Sequence, residues 1–337
     1  MPASSIRRAG ARRPETPANT DPSALWSCLG PPAGALLVTV LAYAVSLVVE
    51  VRNMPSISWA RSWPLPGSAD FSVATHDLAA RLTWATSAVV LLLACAFAIV
   101  VCWRAIVHAL ADSPGWMRTG AFIIFGSCDV ATLWAGVSRD SVTLFPTMRY
   151  LLREPVLSRA VVTVISVFNG LVGAVVVSFI IAASLTLLPT PPQSNTSPEH
   201  CLAERMFLLR QALYAAGTVL VAATFELGAV YRWPGAFIRH TEAPHLDALA
   251  NAMVVTFGIL YSLFLAAVYL PAVTVLGSRA ETLARERVGD SPQRRRWWLR
   301  KHDLVASPRA QIASIVAAAG PLLGGPVSAL MSILFSD

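Results

Sequence analysis

The stretch LTWATSAVVLLLACAFAIVVCW, residues 82–103, contains no charged residue. A helix needs about 20 mainly apolar residues to cross a hydrocarbon core of about 30 Å, and this run supplies them. Its two tryptophans, Trp84 and Trp103, stand 19 positions apart. At about 1.5 Å per residue, that spacing predicts one indole near each bilayer interface. Similar runs cover residues 33–49, 160–188, 207–231 and 248–277. The sequence therefore predicts an all-α fold, a polytopic transmembrane helical bundle.

Composition agrees with that fold class. Of 337 residues, 55% are hydrophobic and 13% charged, too few charges to coat an ordinary soluble surface. The net charge of +7 is concentrated: residues 278–309 hold nine basic and four acidic residues, which is five of the seven. Five scattered cysteines (Cys28, Cys95, Cys102, Cys128, Cys201) form no CxxC pair and no metal-ligand spacing, so they read as small buried hydrophobes. All but one of the 26 basic residues are arginine, the exception being Lys301, a habit of GC-rich genomes. The expected location is a bacterial cytoplasmic (inner) membrane. The basic stretch before residue 33 followed by an apolar run with no cleavage site predicts an uncleaved signal-anchor and a cytoplasmic N-terminus.

A sixth segment, TGAFIIFGSCDVATLWAGV (119–137), carries Asp129 near its centre and makes the count five or six spans. With five spans and the N-terminus inside, 12 basic residues fall inside and 14 outside, and the basic tail lies outside. With six, 17 fall inside and nine outside, and the tail lies inside. Basic residues of short loops favour the cytoplasmic face, so six is the preferred count.

Four units follow: a disordered basic tail (1–30), the transmembrane domain (31–277), a basic aromatic membrane-surface segment (278–308) and a terminal hydrophobic segment (309–337). In the third, SPQRRRWWLRKHD (291–303) presents Arg294, Arg295, Arg296, Trp297, Trp298, Arg300 and Lys301. Indoles favour the headgroup zone, and each nearby cation gains about 1 kcal/mol from anionic lipid. The expected partner is the lipid bilayer with its anionic headgroups; no nucleic-acid module accompanies the charge. In the fourth, Gly320, Pro321, Gly324, Gly325 and Pro326 predict breaks, hence a hydrophobic hairpin of two short helices that enters the membrane partway or caps the bundle.

Polar residues inside apolar spans are costly and mark candidate sites. Asp129 is the foremost, a candidate proton or cation ligand. Asn169, beside Gly170 and Gly173, is expected to bond a neighbouring helix. Arg210 and Glu226 lie 16 residues apart on one run, about 24 Å, too far to pair. Each is expected to extend toward its interface. No GxSxG, HExxH or P-loop is present, and HTEAPH (240–245) has no common zinc spacing and a helix-breaking Pro244. No catalytic residue, cofactor or metal is expected, and the chain is not expected to be an enzyme. Asn195-Thr196-Ser197 matches a glycosylation sequon, which six spans would place inside. These features predict an oligomeric pore, channel or membrane-perturbing effector. The alternatives are a non-conducting scaffold or sensor subunit, whose basic tail recruits lipid or a partner, and a small-solute or proton-coupled transporter.

Overall fold

A computed structural model describes residues 71–110, 115–137, 159–188, 197–233, 243–304 and 308–334. Seven helices occupy them: α1 (Phe71–Ala109), α2 (Gly115–Val137), α3 (Arg159–Thr186), α4 (Pro198–Arg232), α5 (Ala243–Val288), α6 (Pro292–Lys301) and α7 (Pro308–Leu334). The basic N-terminal tail, the apolar run 33–49, residues 195–196 of the sequon and residues 240–242 of HTEAPH lie outside the described residues. Four helices, α1, α3, α4 and α5, are long and apolar enough to cross a membrane.

The apolar runs explain the helices but understate them. Residues 207–231 lie within the 35-residue α4, and 248–277 within the 46-residue α5. At about 1.5 Å per residue α5 measures about 69 Å, more than twice a hydrocarbon core. Its charged C-terminal turns, with Glu281, Arg285 and Arg287, therefore extend past any bilayer that holds its apolar part. Pro271 sits inside α5 without ending the helix.

The bundle is centred on α4, which packs against α1, α3, α5 and α7. Its small residues Ala212, Ala215, Ala216 and Ala223 are buried and let neighbouring helices come close. The helix directions follow from contacts at the ends. Trp84 near the start of α1 meets Glu226 and Trp233 at the end of α4, while His108 at the other end of α1 meets Glu204 near the start of α4 (3.1 Å). At that second end, the buried Arg205 of α4 donates to the Leu188 carbonyl just beyond α3, and Glu199 pairs with Arg287 of α5 (3.0 Å). So α1, α3 and α5 all finish at one end of the bundle, hereafter the α6 end, because α6 follows there. Thus α3 starts at the end opposite to the one where α1 finishes, with α2 between them in the chain.

The terminal segment corrects an expectation. Pro308–Leu334 is one helix, not a hairpin, and neither Gly320-Pro321 nor Gly324-Gly325-Pro326 interrupts it. A proline removes one N–H, and here that loss falls on the Ala317 carbonyl, which points at Gly217 of α4; a Cβ placed on Gly217 would lie 2.7 Å from that oxygen. The glycine leaves room for close backbone approach, which weak Cα–H···O contacts reward. One turn on, the Pro321 carbonyl stands 2.5 Å from where a Cβ of Gly258 on α5 would be. Proline is tolerated in apolar bundles when neighbouring helices accommodate the backbone it disturbs. A hydroxyl cluster fastens the same helix: Ser314 bonds the Ala310 carbonyl (2.9 Å) and meets Tyr214 of α4 (3.3 Å) and Tyr269 of α5 (3.5 Å).

The surface segment 291–303 forms α6, with Pro292 in its first turn, where a missing N–H costs nothing. Trp297 is 61% exposed, as expected of a headgroup-level indole, but Trp298 is not: it turns inward with Leu299 onto the main core. Burying those two side chains contributes about 1.5–3 kcal/mol each, which fixes α6 to the bundle and sets the face it presents. Arg294, Arg296, Arg300 and Lys301 remain on the exposed face, and the half-buried Arg295 reaches Glu281 (3.4 Å).

Candidate functional site

Glu226 lies six residues before the end of α4, on the face that meets α1 and α5. It does not extend to the surface as the sequence suggests. The residue is 6% exposed, and its Oε1 accepts a hydrogen bond from Trp84 Nε1 of α1 (3.2 Å). Tyr261 of α5 lies near enough to sense its charge. Trp84 is itself held by Trp233, whose ring centre is 5.3 Å away, and the Arg81 guanidinium lies 5.8 Å from the Trp233 ring centre. The indole that the spacing rule places at an interface therefore serves as a donor to a buried carboxylate. Six residues beyond Glu226, Arg232 bonds Asn251 of α5 (2.6 Å). The site is thus a carboxylate below a rim of cationic and aromatic side chains, at the end of the bundle opposite α6.

Asp129 occupies a second interior position. It is half-buried on α2, with Ser178 of α3 and Cys102 of α1 as its neighbours. Its Oδ1 is buried and has no hydrogen-bond partner among the described residues. The close approach of α2 and α3 that brings Asp129 to Ser178 depends on Gly173: a Cβ there would lie 2.4 Å from Thr132 Cγ2. Asn169, four residues earlier, behaves differently from expectation. It is exposed and bonds no neighbouring helix among the described residues.

Arg210 is half-buried and lines a cavity of about 800 Å³ at the α6 end, with Glu199, Glu204, Phe207, Lys301 and Asp303 among the other walls. Glu226 and Arg210 are therefore at opposite ends of α4 and act separately. Between them, along the α4–α5–α7 interface, lie Tyr261, the buried and unpartnered Ser262 hydroxyl and the Tyr214–Ser314–Tyr269 cluster. Sequence reasoning missed these hydroxyls and Trp84. A tyrosine or tryptophan in an apolar run looks like any other large side chain until the facing helix is known.

Among the described residues, no group of three or more His, Cys, Asp or Glu side chains could hold a metal ion. Cys95 and Cys102 are buried, as the apolar run predicts. No family model, no curated protein and no solved structure matches the chain.

Proposed function

We propose that the chain is a multi-pass integral membrane protein of the proton-coupled or small-solute transport class, with Glu226 as its proton- or cation-binding group and Asp129 as a second station. The observation that carries this reading is the burial of Glu226 between three helices long enough to cross a membrane, with an indole N–H aimed at it. An ionisable side chain within such helices is expensive and faces the bundle interior where it serves transport or proton relay. The polar side chains between Glu226 and the cavity at the α6 end supply hydrogen-bonding groups along an otherwise apolar interface. The common direction of α1 and α3 supports a crossing by α2, hence six spans, and positive-inside charge then places α6 on the cytoplasmic face with the N-terminus. A bacterial inner membrane is the location this arrangement suits. No catalytic residue is part of this reading.

The oligomeric pore is the second choice, because its main support was a broken terminal hairpin and α7 is instead a continuous helix wedged onto α4 and α5. A purely passive scaffold gives no reason for two carboxylates in the interior.

Proteoliposomes loaded with a pH-sensitive dye test the proposal. Under an imposed potential the wild type should pass protons, Glu226→Gln should not, and Asp129→Asn should slow the flux. Glutamine keeps an oxygen for the Trp84 donor, so the fold should survive the change. Equal flux from wild type and Glu226→Gln would refute the assignment. Dye leakage from the wild type would favour the pore.

A further inference from the structure

The cavity at the α6 end has a charge arrangement that its function-neutral walls do not require. Two of its carboxylates are already engaged: Glu199 with Arg287 (3.0 Å) and Glu204 with His108 (3.1 Å). Its two permanent cations are not. Neither Arg210 nor Lys301 has a carboxylate within ion-pair distance among the described residues, and the Lys301 ammonium lies instead 5.2 Å from the ring centre of Trp297. Asp303, the one non-glycine described residue with positive φ (55°), closes the cavity where the chain turns out of α6. One wall is apolar: Phe207 is 53% exposed.

We infer that this cavity binds the headgroup of a membrane phospholipid, with the phosphodiester between Arg210 and Lys301 and the first part of an acyl chain along Phe207. The position suits a lipid. The exposed Trp297 and the cationic face of α6 mark the headgroup level, and the cavity opens beside it where a helix long enough to span leaves the apolar zone. Guanidinium and ammonium groups form charge-assisted hydrogen bonds to phosphate oxygens that are stronger than neutral ones. The carboxylates restrict the choice further. Asp303 and the paired Glu199 and Glu204 disfavour a polyphosphorylated headgroup and admit a singly charged or zwitterionic one, whose amine or hydroxyl they can accept from. This inference is independent of proton transport at Glu226, which lies at the other end of the bundle.

The test is native mass spectrometry of the full chain extracted from vesicles of phosphatidylethanolamine and phosphatidylglycerol. The wild type should retain phospholipid through delipidation. Replacing Arg210 and Lys301 together with glutamine should weaken that retention roughly tenfold, and Arg210→Lys should restore part of it. Replacing Arg294 and Arg296, which are exposed on α6 and do not line the cavity, should reduce retention much less than the Arg210/Lys301 change. Thermal unfolding of each variant confirms that lipid loss is not loss of fold. Retention unchanged in the Arg210/Lys301 variant would overturn the inference, as would an equal loss in the Arg294/Arg296 variant, which would signal diffuse charge attraction. Displacement of the lipid by free glycerophosphate at similar concentration would also overturn it, by assigning the cavity to a soluble phosphate compound.

Discussion

Substituting Gly258 by alanine places a methyl group where the carbonyl of Pro321 already stands. The new Cβ would lie 2.5 Å from that oxygen and 3.2 Å from Leu322 Cα, both backbone atoms of α7. A relaxed C···O contact is about 3.3 Å, so α5 and α7 must separate by about 0.8 Å to admit it. Overpacking of that kind costs about 1–3 kcal/mol. In an apolar bundle, close packing is the main force holding helices together, so the loss is not offset by water exclusion elsewhere. The control lies on the same helix. Gly277 has no atom within 4 Å of an added Cβ, so Gly277→Ala should only gain the helix propensity of alanine, about 0.5–1 kcal/mol. Unfolding by SDS titration in mixed micelles, followed by tryptophan fluorescence, should show Gly258→Ala less stable than wild type and Gly277→Ala equal or better. Gly217→Ala, 2.7 Å from the Ala317 carbonyl, should fall on the Gly258 side of that division. Equal midpoints for the Gly258 and Gly277 variants would refute the docking of α7 in the glycine grooves of α4 and α5.

Other expectations follow from single contacts. Trp84→Phe removes the donor to Glu226 and leaves a buried carboxylate short of a partner, so it should cost about 1–3 kcal/mol. Trp134→Phe, at a position 78% exposed, should cost little in the same unfolding assay. Arg205→Ala frees the Leu188 carbonyl at the end of α3 and should destabilise by a similar amount, with α3 and α4 losing hydrogen-exchange protection at the α6 end first. Trp298→Ala should destabilise by about 3–5 kcal/mol, whereas Trp297→Ala should leave unfolding unchanged and reduce binding of the segment to vesicles. Single cysteines at Leu82 and Trp297, both exposed and at opposite ends of the bundle, should react with an impermeant maleimide from opposite sides of the membrane. Labelling from one side would contradict the helix directions.

Much of the fold was legible because the bilayer imposes a length rule that apolar runs either meet or miss. Residues 82–103, 207–231 and 248–277 fall inside observed helices, and the run 160–188 outlasts its helix, which ends at Thr186, by two residues. Their ends were not legible: the polar turns of Pro198–Arg205 and Arg279–Val288 leave the apolar zone, and a hydropathy window stops where the helix does not. The terminal segment was misread because proline was judged within its own helix. The space for its displaced backbone comes from Gly217 and Gly258, far away in sequence. The same limit governs the site. Asp129 and Glu226 stood out as carboxylates in apolar runs, but the burial of Glu226 depends on Trp84, 142 positions away, and Asn169 turned out to lie on an exposed face.

The central claim is that the interior of the bundle holds a carboxyl group able to take up and release a proton. A hydrophobic carbodiimide reacts with protonated carboxyl groups in apolar surroundings, and peptide mapping then locates the adduct. Treatment of the protein in membranes should modify Glu226 ahead of the wet carboxylates at the α6 end, such as Glu281 and Asp290, and should stop proton flux in proportion to labelling. Labelling confined to those exposed residues, or full flux after complete modification of Glu226, would contradict the account.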